Sequence, residues 1–413
     1  MTAGRRYDRR TAQARSTTGR TDVSISVGRR NLIALEAKAP PKRRSSIHKY
    51  KKNATNQKTR EKTSMKILAN VVSASATVIA LSIAATTAQA QTKIRMATSW
   101  GGGPHLEVMA KGFAKRVNDL TGGQVQIEVF PGGTIGSPLK VTETVQKRIA
   151  QAGHHWSGYD YGLDKTAVLF GGYAGSMPSE HYIHWLFKGG GVELWRAWRL
   201  EKFGVVAMPC GSHSDEIHMV SHKKVQKIED LKGLKLRTSG AWAEIAGSLG
   251  SSTVVLPGAE VYPALEKKVV DAIEWANPGI NYAVGFHKVA PYLIMPGVHQ
   301  ASSAQECVFH KDVWAGFDKK TQALIETAAK LNVLDVWMTF NNEDTIALTK
   351  LKEEGATFVT VDDSYIAAVK AATRKWEDKT AADEGGWFEK VLKSQRAFVK
   401  QWETAGEYRS EIK

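Results

Sequence analysis

Between residues 91 and 133 the chain writes a strand, a helix and a second strand in close succession, and that order restricts the fold more than any other feature of the sequence. Gln91 to Trp100 alternates, with Ile94 and Met96 set against Lys93 and Arg95, until Gly101-Gly102-Gly103-Pro104 breaks it. Leu106, Met109, Phe113, Val117 and Leu120 then recur at three- and four-residue steps, which predicts an amphipathic helix stopped by Gly122-Gly123. Strict alternation returns from Gln124 to Phe130 and ends at Pro131-Gly132-Gly133. Strand, helix and strand at this length form a βαβ unit, so the expected class is α/β with a largely parallel sheet.

The same grammar continues downstream. Gly204 to Met208 reads as a short buried strand, and Leu234 to Arg237 as another, followed by a helix through Trp242, Ile245 and Leu249. From Thr321 to about Leu351 a long helical stretch carries Leu324, Ala328, Leu331, Leu334, Val336 and Trp337, more apolar residues than one face needs. That predicts a spine buried on several sides and touching two lobes. Trp387, Phe388, Val391, Leu392, Phe398 and Trp402 form the apolar face of a last helix, and this face needs a partner surface.

Charge separates the chain into a leader and a body. Residues 1–64 hold 18 Lys and Arg against 4 Asp and Glu, whereas residues 91–413 hold 38 against 37. A near-neutral body removes the electrostatic argument for nucleic-acid binding, and the basic balance belongs to the leader. Met65-Lys66 opens an apolar run that ends in Ala88-Gln89-Ala90, giving the cationic start, apolar middle and A-x-A close of a Sec signal peptide, with cleavage expected before Gln91. Residues 65–90 are therefore expected to be removed on export to the periplasm. Such a signal works at an N-terminus, so initiation at Met65 is preferred over a basic disordered arm at 1–64. Arg29-Arg30 offers only a faint twin-arginine pattern, cut short by Glu36 and Lys38. Cys210 and Cys307 are the two cysteines, and either one disulfide or two buried thiols fits them.

Three segments carry chemistry. In Leu234-Lys235-Leu236-Arg237-Thr238-Ser239-Gly240 a guanidinium ends a strand just before a helix opens, so its fork and the free helix N–H groups can converge on one carboxylate. Glu274 follows the apolar run Ala272-Ile273 and precedes Trp275, which predicts a buried carboxylate in need of a cation or donors. Gly211-Ser212-His213-Ser214-Asp215-Glu216 reads as a polar loop after the strand near Cys210, with oxygen-bearing residues suited to a hard cation. Trp100 and Trp156 flank expected loops and can wall a crevice.

Together the signal peptide, Ala97-Thr98-Ser99-Trp100, the Leu-Lys-Gly-Leu-Lys-Leu-Arg segment ending at Arg237, Tyr262-Pro263-Ala264-Leu265-Glu266-Lys267 and Asp271 to Pro278 resemble the DctP-type solute-binding proteins of TRAP transporters. The resemblance covers essentially all of 91–413. It implies a two-lobed periplasmic-binding-protein fold with hinge strands, a long spine helix and a C-terminal helix. Lobe I is then 91–207 with about 305–345, lobe II 208–304 with about 346–383, and the C-terminal helix lies in 384–413. Arg237 matches the arginine that pairs with the substrate carboxylate in that family. The Glu274-Trp275 pair, with Tyr159 and Tyr161, is most similar to the branch that binds 2-oxo acids or lactate with a metal ion. The implied metal set is Glu274, the Trp275 carbonyl and Glu216, the last standing where that branch tends to have Gln. Two carboxylates favour Ca²⁺ over Na⁺. The implied substrate-binding residues are Arg237, Glu216, Trp100, Trp156, Tyr159, Tyr161 and Asn277. Implied partners are a small organic carboxylate, small and large multi-span TRAP membrane subunits, and a second protomer docked through the C-terminal helix.

Other signals are weaker. His154-His155, His181 with His184, and His213, His218 and His222 lack a zinc-site order and read as surface or packing residues. Trp185, Trp195 and Trp198 sit at near-helical spacing and read as core. An enzyme is the chief rival, in the form of a metal-assisted periplasmic hydrolase, but the sequence has no Gly-x-Ser-x-Gly elbow, phosphate-binding glycine fingerprint or Cys-x-x-Cys. A binding protein for an ATP-driven importer would share the two-lobed plan.

Overall fold

The computed structural model describes residues 91–406 and Tyr408, all within the unit Thr87–Lys413. The expectations for 1–64 and 65–90 lie outside the described residues. In chain order the strands are β1 (Thr92–Thr98), β2 (Val125–Phe130), β3 (Ala152–Trp156), β4 (Val205–His213), β5 (Met219–Ser221), β6 (Lys235–Arg237), β7 (Ser252–Val254), β8 (Ala272–Ile273), β9 (Tyr292–Met295), β10 (Ser303–His310) and β11 (Thr357–Thr360). They form two sheets, ordered β2-β1-β3-β10-β4 and β11-β9-β5-β8-β6-β7. β1 lies parallel to β2 and β3, as the opening βαβ unit requires, while β10 runs antiparallel to β3 and β4. The connecting helix begins as a π-helical turn at His105–Ala110 and continues as an α-helix at Lys111–Leu120, burying Met109, Phe113 and Val117 on one face.

The chain crosses between the sheets twice, through residues 214–218 after β4 and back through 296–302 before β10. A third link is the helix Lys319–Glu353, whose N-terminus is capped by Asp318 Oδ1 accepting from the Thr321 amide at 2.6 Å. Ile325, Ala328 and Ala329 pack with Met96, Met208 and Phe309 of the first sheet, whereas Leu351 packs with Val220, Ile273 and Leu293 of the second. Between them, Asn332 is fully buried and donates to the carbonyls of Met109 and Cys210 at 3.1 and 2.6 Å. The spine therefore reaches both sheets, but it is not buried all round. Leu331, expected inside, is 45% exposed, because the helix lies across the lobes and keeps one face in water.

Two further expectations change. β4 does not stop near Met208. It continues to His213 because β10 supplies a partner throughout, with Gln305 opposite Gly211 and Ser303 opposite His213. A bulge beside Pro209, which has no N–H for the ladder, lets the strand go on. Cys210 and Cys307 form a disulfide across these two strands, with Cα atoms 5.7 Å apart. The C-terminal helix Gly386–Gly406 needs no second chain to cover it. Phe388, Val391 and Leu392 join Trp185, Trp195 and Trp198 in one core, and Gln395 donates to the Leu169 carbonyl at 2.6 Å. Among the described residues no helix is long and apolar enough to cross a membrane.

Candidate functional site

Strand ends and sheet crossings converge on one place. Arg237 closes β6 and is only 1% exposed. Its Nη1 donates to the Glu274 carbonyl at 3.1 Å and stands 3.4 Å from Glu274 Oε1, while Nη2 donates to the Leu256 carbonyl at 2.9 Å. Nε has no partner within the protein, although it is buried. A guanidinium anchored on one side and unpaired at Nε is poised for an incoming anion, since a buried donor left unpaired is costly. The Trp275 ring lies against it, with the guanidinium carbon 5.4 Å from the ring centroid.

Glu274 extends from β8, and Glu216 comes from the first crossing between sheets. The second crossing delivers His299 and Gln300. Glu216 Oε1 accepts from Gln300 Nε2 at 2.6 Å, and His299 Nε2 lies 3.1 Å from Glu216 Oε2 and 3.8 Å from Glu274 Oε2. Gly297 permits this approach, because a methyl there would stand 2.1 Å from the Glu216 carbonyl oxygen. Burial pushes the Glu216 carboxyl well above the usual range, against the pull of Gln300 and Arg237. It raises Glu274 as well, with Arg237 opposing and Glu216 adding to the rise. Burial lowers His299 to about 4, so its imidazole is neutral.

Aromatic rings from the first sheet close the opposite side. Trp100 stacks on His105 at 4.4 Å between centroids, and its Nε1 donates to His154 Nδ1 at 2.7 Å. That bond requires an unprotonated Nδ1, in keeping with burial lowering His154 to about 3. Trp156 donates from Nε1 to the Gly171 carbonyl at 2.8 Å and meets Tyr159 edge-on at 5.4 Å. The cavity between these walls is small, about 30 Å³, a space that holds only a few waters.

Trp100, Trp156, Tyr159, Glu216, Arg237, Glu274 and Trp275 all line it, as the sequence leads one to expect. Tyr161 and Asn277 do not. The Tyr161 hydroxyl donates to Glu244, and its ring turns toward Trp376. Asn277 Nδ2 donates to Asp344 Oδ1 at 2.6 Å, tying the segment to the spine helix. In the Ser212–Glu216 segment Glu216 and His213 line the cavity, and the two serines do not. Ser212 bonds the Ser303 carbonyl and Ser214 bonds Asp344. His213, expected to be a packing or surface residue, lines the cavity, and burial lowers it to about 4. His105, His299, Gln300 and Gln305 escaped sequence reasoning. A usable signal existed, since Pro296-Gly297-Val298-His299-Gln300 follows a buried strand, where ligand crevices of α/β domains form.

The donor set fits a cation. The ligand atoms of Glu216, Glu274 and His299 all lie within 4.8 Å of one another and are buried. Two carboxyls disfavoured as anions by burial, facing a neutral imidazole, leave a charge deficit that a metal ion would fill.

Comparison with known proteins agrees. Residues 96–383 match the family described as bacterial extracellular solute-binding protein, family 7, DctP. A monocarboxylate 2-oxoacid-binding periplasmic protein of Nostoc sp. is 30% identical over 316 residues, covering 74% of this chain and 84% of that protein. A TRAP transporter solute-binding protein from Bordetella bronchiseptica, a mixed-occupancy dimer with copurified calcium and picolinate in one site, is 26% identical with a TM-score of 0.73, covering 78% of this chain and 94% of that one. A TRAP periplasmic solute-binding protein from Pseudoalteromonas atlantica with bound sodium and pyruvate is likewise 26% identical at a TM-score of 0.73, covering 77% and 97%.

Proposed function

Because the chain belongs to the DctP family of bacterial extracellular solute-binding proteins, we propose that it captures a short 2-oxo or 2-hydroxy monocarboxylate together with a metal ion and delivers it to TRAP membrane subunits. One observation carries this reading. A buried arginine with an unpaired Nε lines the same small cavity as two buried carboxylates, an arrangement suited to an anion and a cation bound together.

Arg237 would hold the substrate carboxylate through charge-assisted hydrogen bonds. Glu216, Glu274 and the Trp275 carbonyl would hold the ion, which supplies positive charge to a carboxylate oxygen and the neighbouring 2-oxo or 2-hydroxy oxygen. Trp100, Trp156 and Tyr159 enclose the carbon chain. A cavity of about 30 Å³ is smaller than even a three-carbon acid, so the lobes would have to part to admit the substrate, and to part further for a sugar acid. Of the relatives named above, one carries sodium with pyruvate and another calcium with the aromatic acid picolinate, and either ion is compatible with the carboxylate pair.

The lobes would be 91–207 with about 305–345 and 208–304 with about 346–383, and a hinge at 214–218 and 296–302 is supported by those residues linking strands of the two sheets. Glu216 and His299 sit on those crossings, so lobe closure and completion of the site would be one event. Family members bind substrates rather than transform them, and the reading follows the family in this. Export with cleavage before Gln91 would place it in the periplasm, where the Cys210–Cys307 bridge is stable. The homodimer expected through residues 386–406 loses its argument, since that helix already spends its apolar face within the chain.

Calorimetry on exported protein stripped of cations, titrated with pyruvate, lactate, longer 2-oxo acids and aromatic acids, tests the reading. Binding of a short 2-oxo acid that weakens on chelation supports it. An affinity indifferent to chelation would leave Arg237 alone to account for capture.

A further inference from the structure

We propose that His299 is a further ligand of the cation, through Nε2, and that this nitrogen turns the site toward a six-coordinate transition ion such as Mn²⁺ rather than Ca²⁺ or Na⁺. The inference rests on the cation-bridged reading above and adds to it a residue and a selectivity.

The placement of the ring is the first argument. His299 Nε2 is 3.1 Å from Glu216 Oε2 and 3.8 Å from Glu274 Oε2, so it points between the two carboxylates rather than toward one of them alone. All three donor atoms fall within 4.8 Å of one another, a separation that a single ion can span. The imidazole is 2% exposed and has no competing solvent partner.

The second argument is the far side of the ring. His299 Nδ1 lies 3.2 Å from His218 Nδ1, and His218 Nε2 lies 2.7 Å from the Tyr365 hydroxyl. Two facing Nδ1 atoms share one hydrogen, which permits two arrangements. With the hydrogen on His218, the His299 Nε2–H donates to Glu216, His218 Nε2 accepts from Tyr365, and the ring cannot ligate. With the hydrogen on His299 Nδ1, Nε2 turns a lone pair on the carboxylate pair, and His218 Nε2–H donates to Tyr365. A ligating histidine is held in its working tautomer by such a bond from its other nitrogen. The His299–His218–Tyr365 chain supplies that bond, and it anchors the ligand to the helix Asp363–Glu384.

Ligand chemistry then separates the ions. Ca²⁺ and Na⁺ prefer oxygen throughout, whereas an imidazole nitrogen among carboxylates suits first-row transition ions. With the Trp275 carbonyl and two oxygens of a bound 2-oxo acid, Glu216, Glu274 and His299 would complete an octahedral set of one nitrogen and five oxygens.

The test uses the whole exported protein, stripped with chelator and loaded with MnCl₂ or CaCl₂ in the presence of pyruvate. Electron spin-echo envelope modulation of the Mn²⁺ form should show coupling to a directly bound ¹⁴N, and calorimetry should rank Mn²⁺ above Ca²⁺. His299→Gln replaces the nitrogen with an amide oxygen, and it should remove the ¹⁴N coupling and lower Mn²⁺ affinity roughly ten- to a hundredfold relative to Ca²⁺. Mn²⁺ that binds without ¹⁴N coupling in the wild-type protein overturns the proposal while leaving the cation bridge standing. Failure of every cation to bind, with pyruvate affinity untouched by chelator, overturns it together with the reading beneath it.

Discussion

The protein buries two clusters that each set one arginine against two carboxyls, and they behave in opposite ways. In the first sheet, Arg199 Nη1 meets Asp160 Oδ2 at 2.7 Å, and its Nε donates to Glu306 Oε2 at 3.1 Å. His155 Nε2 lies 3.1 Å from Glu306 Oε1, Trp195 Nε1 donates to Oε2 at 2.8 Å, and the Thr142 hydroxyl donates to Asp160 at 2.6 Å. Burial alone would raise Glu306, but Arg199 and then His155 outweigh it and hold the carboxyl down at about 2. Around the cavity, Arg237 faces Glu274 less closely, and burial wins, so both Glu216 and Glu274 are pushed up. The scaffold cluster sets its charges against one another within the chain. Under the proposed function an anion and a cation would complete the cavity cluster, and this contrast separates a structural ion pair from a candidate binding site better than burial does.

Breaking the scaffold cluster should have the largest effect. Arg199→Met keeps much of the volume but strands Asp160 and Glu306 as buried charges, and chemical unfolding should show a loss of about 3–5 kcal/mol. Adding Glu306→Gln should recover part of it. If the single variant is as stable as wild type, the two clusters do not differ in kind. Acid probes the same group without mutation. Glu306 has a depressed folded pKa, so its contribution is fully present above about 4.5 and is lost as pH falls through about 2. Stability in urea should decline by about 3 kcal/mol across that window, and Glu306→Gln should flatten the decline.

Variants in the cavity should spare stability and strike binding. Arg237→Lys keeps the charge but loses the planar fork, which should weaken carboxylate binding by about 1.5–3 kcal/mol in calorimetry. Glu274→Gln removes one of two carboxyls that burial disfavours as anions. It should make the ligand-free protein more stable, the reverse of the scaffold result, while weakening cation and acid together because each completes the other's site. A destabilised Glu274→Gln protein would mean that this cluster is scaffold too.

The fold and most of the cavity were legible in the sequence because they are written locally. Ile94 and Met96 against Lys93 and Arg95 announce β1, and Arg237 before Thr238-Ser239-Gly240 announces a guanidinium at a helix start. What was hidden depends on pairing across the fold. The extension of β4 to His213 follows from β10, a partner 97 residues away at the disulfide. His299 becomes a neighbour of Glu216 only because two crossings lie side by side, with a glycine at 297 to let them touch. Asn277 looked inward by proximity to Glu274 and Trp275, yet Asp344 of the spine helix takes its side chain.

Tyr159 and Tyr161 make the finest version of the same comparison, and the smallest expected effect. They stand two apart in Gly158-Tyr159-Asp160-Tyr161-Gly162, and sequence alone treats them alike. Tyr159 faces Trp156 and Trp100 across the cavity. Tyr161 follows the turn at Ser157–Asp160 to the other side, where it meets Glu244 and Trp376. Tyr161→Phe removes a hydroxyl that bonds a partly exposed carboxylate, so it should cost no more than about 1 kcal/mol of stability and leave acid affinity within about twofold. Tyr159→Ala removes part of the wall and should weaken binding clearly more in the same titration. Equal losses from both would place the cavity wall on the wrong side of that turn.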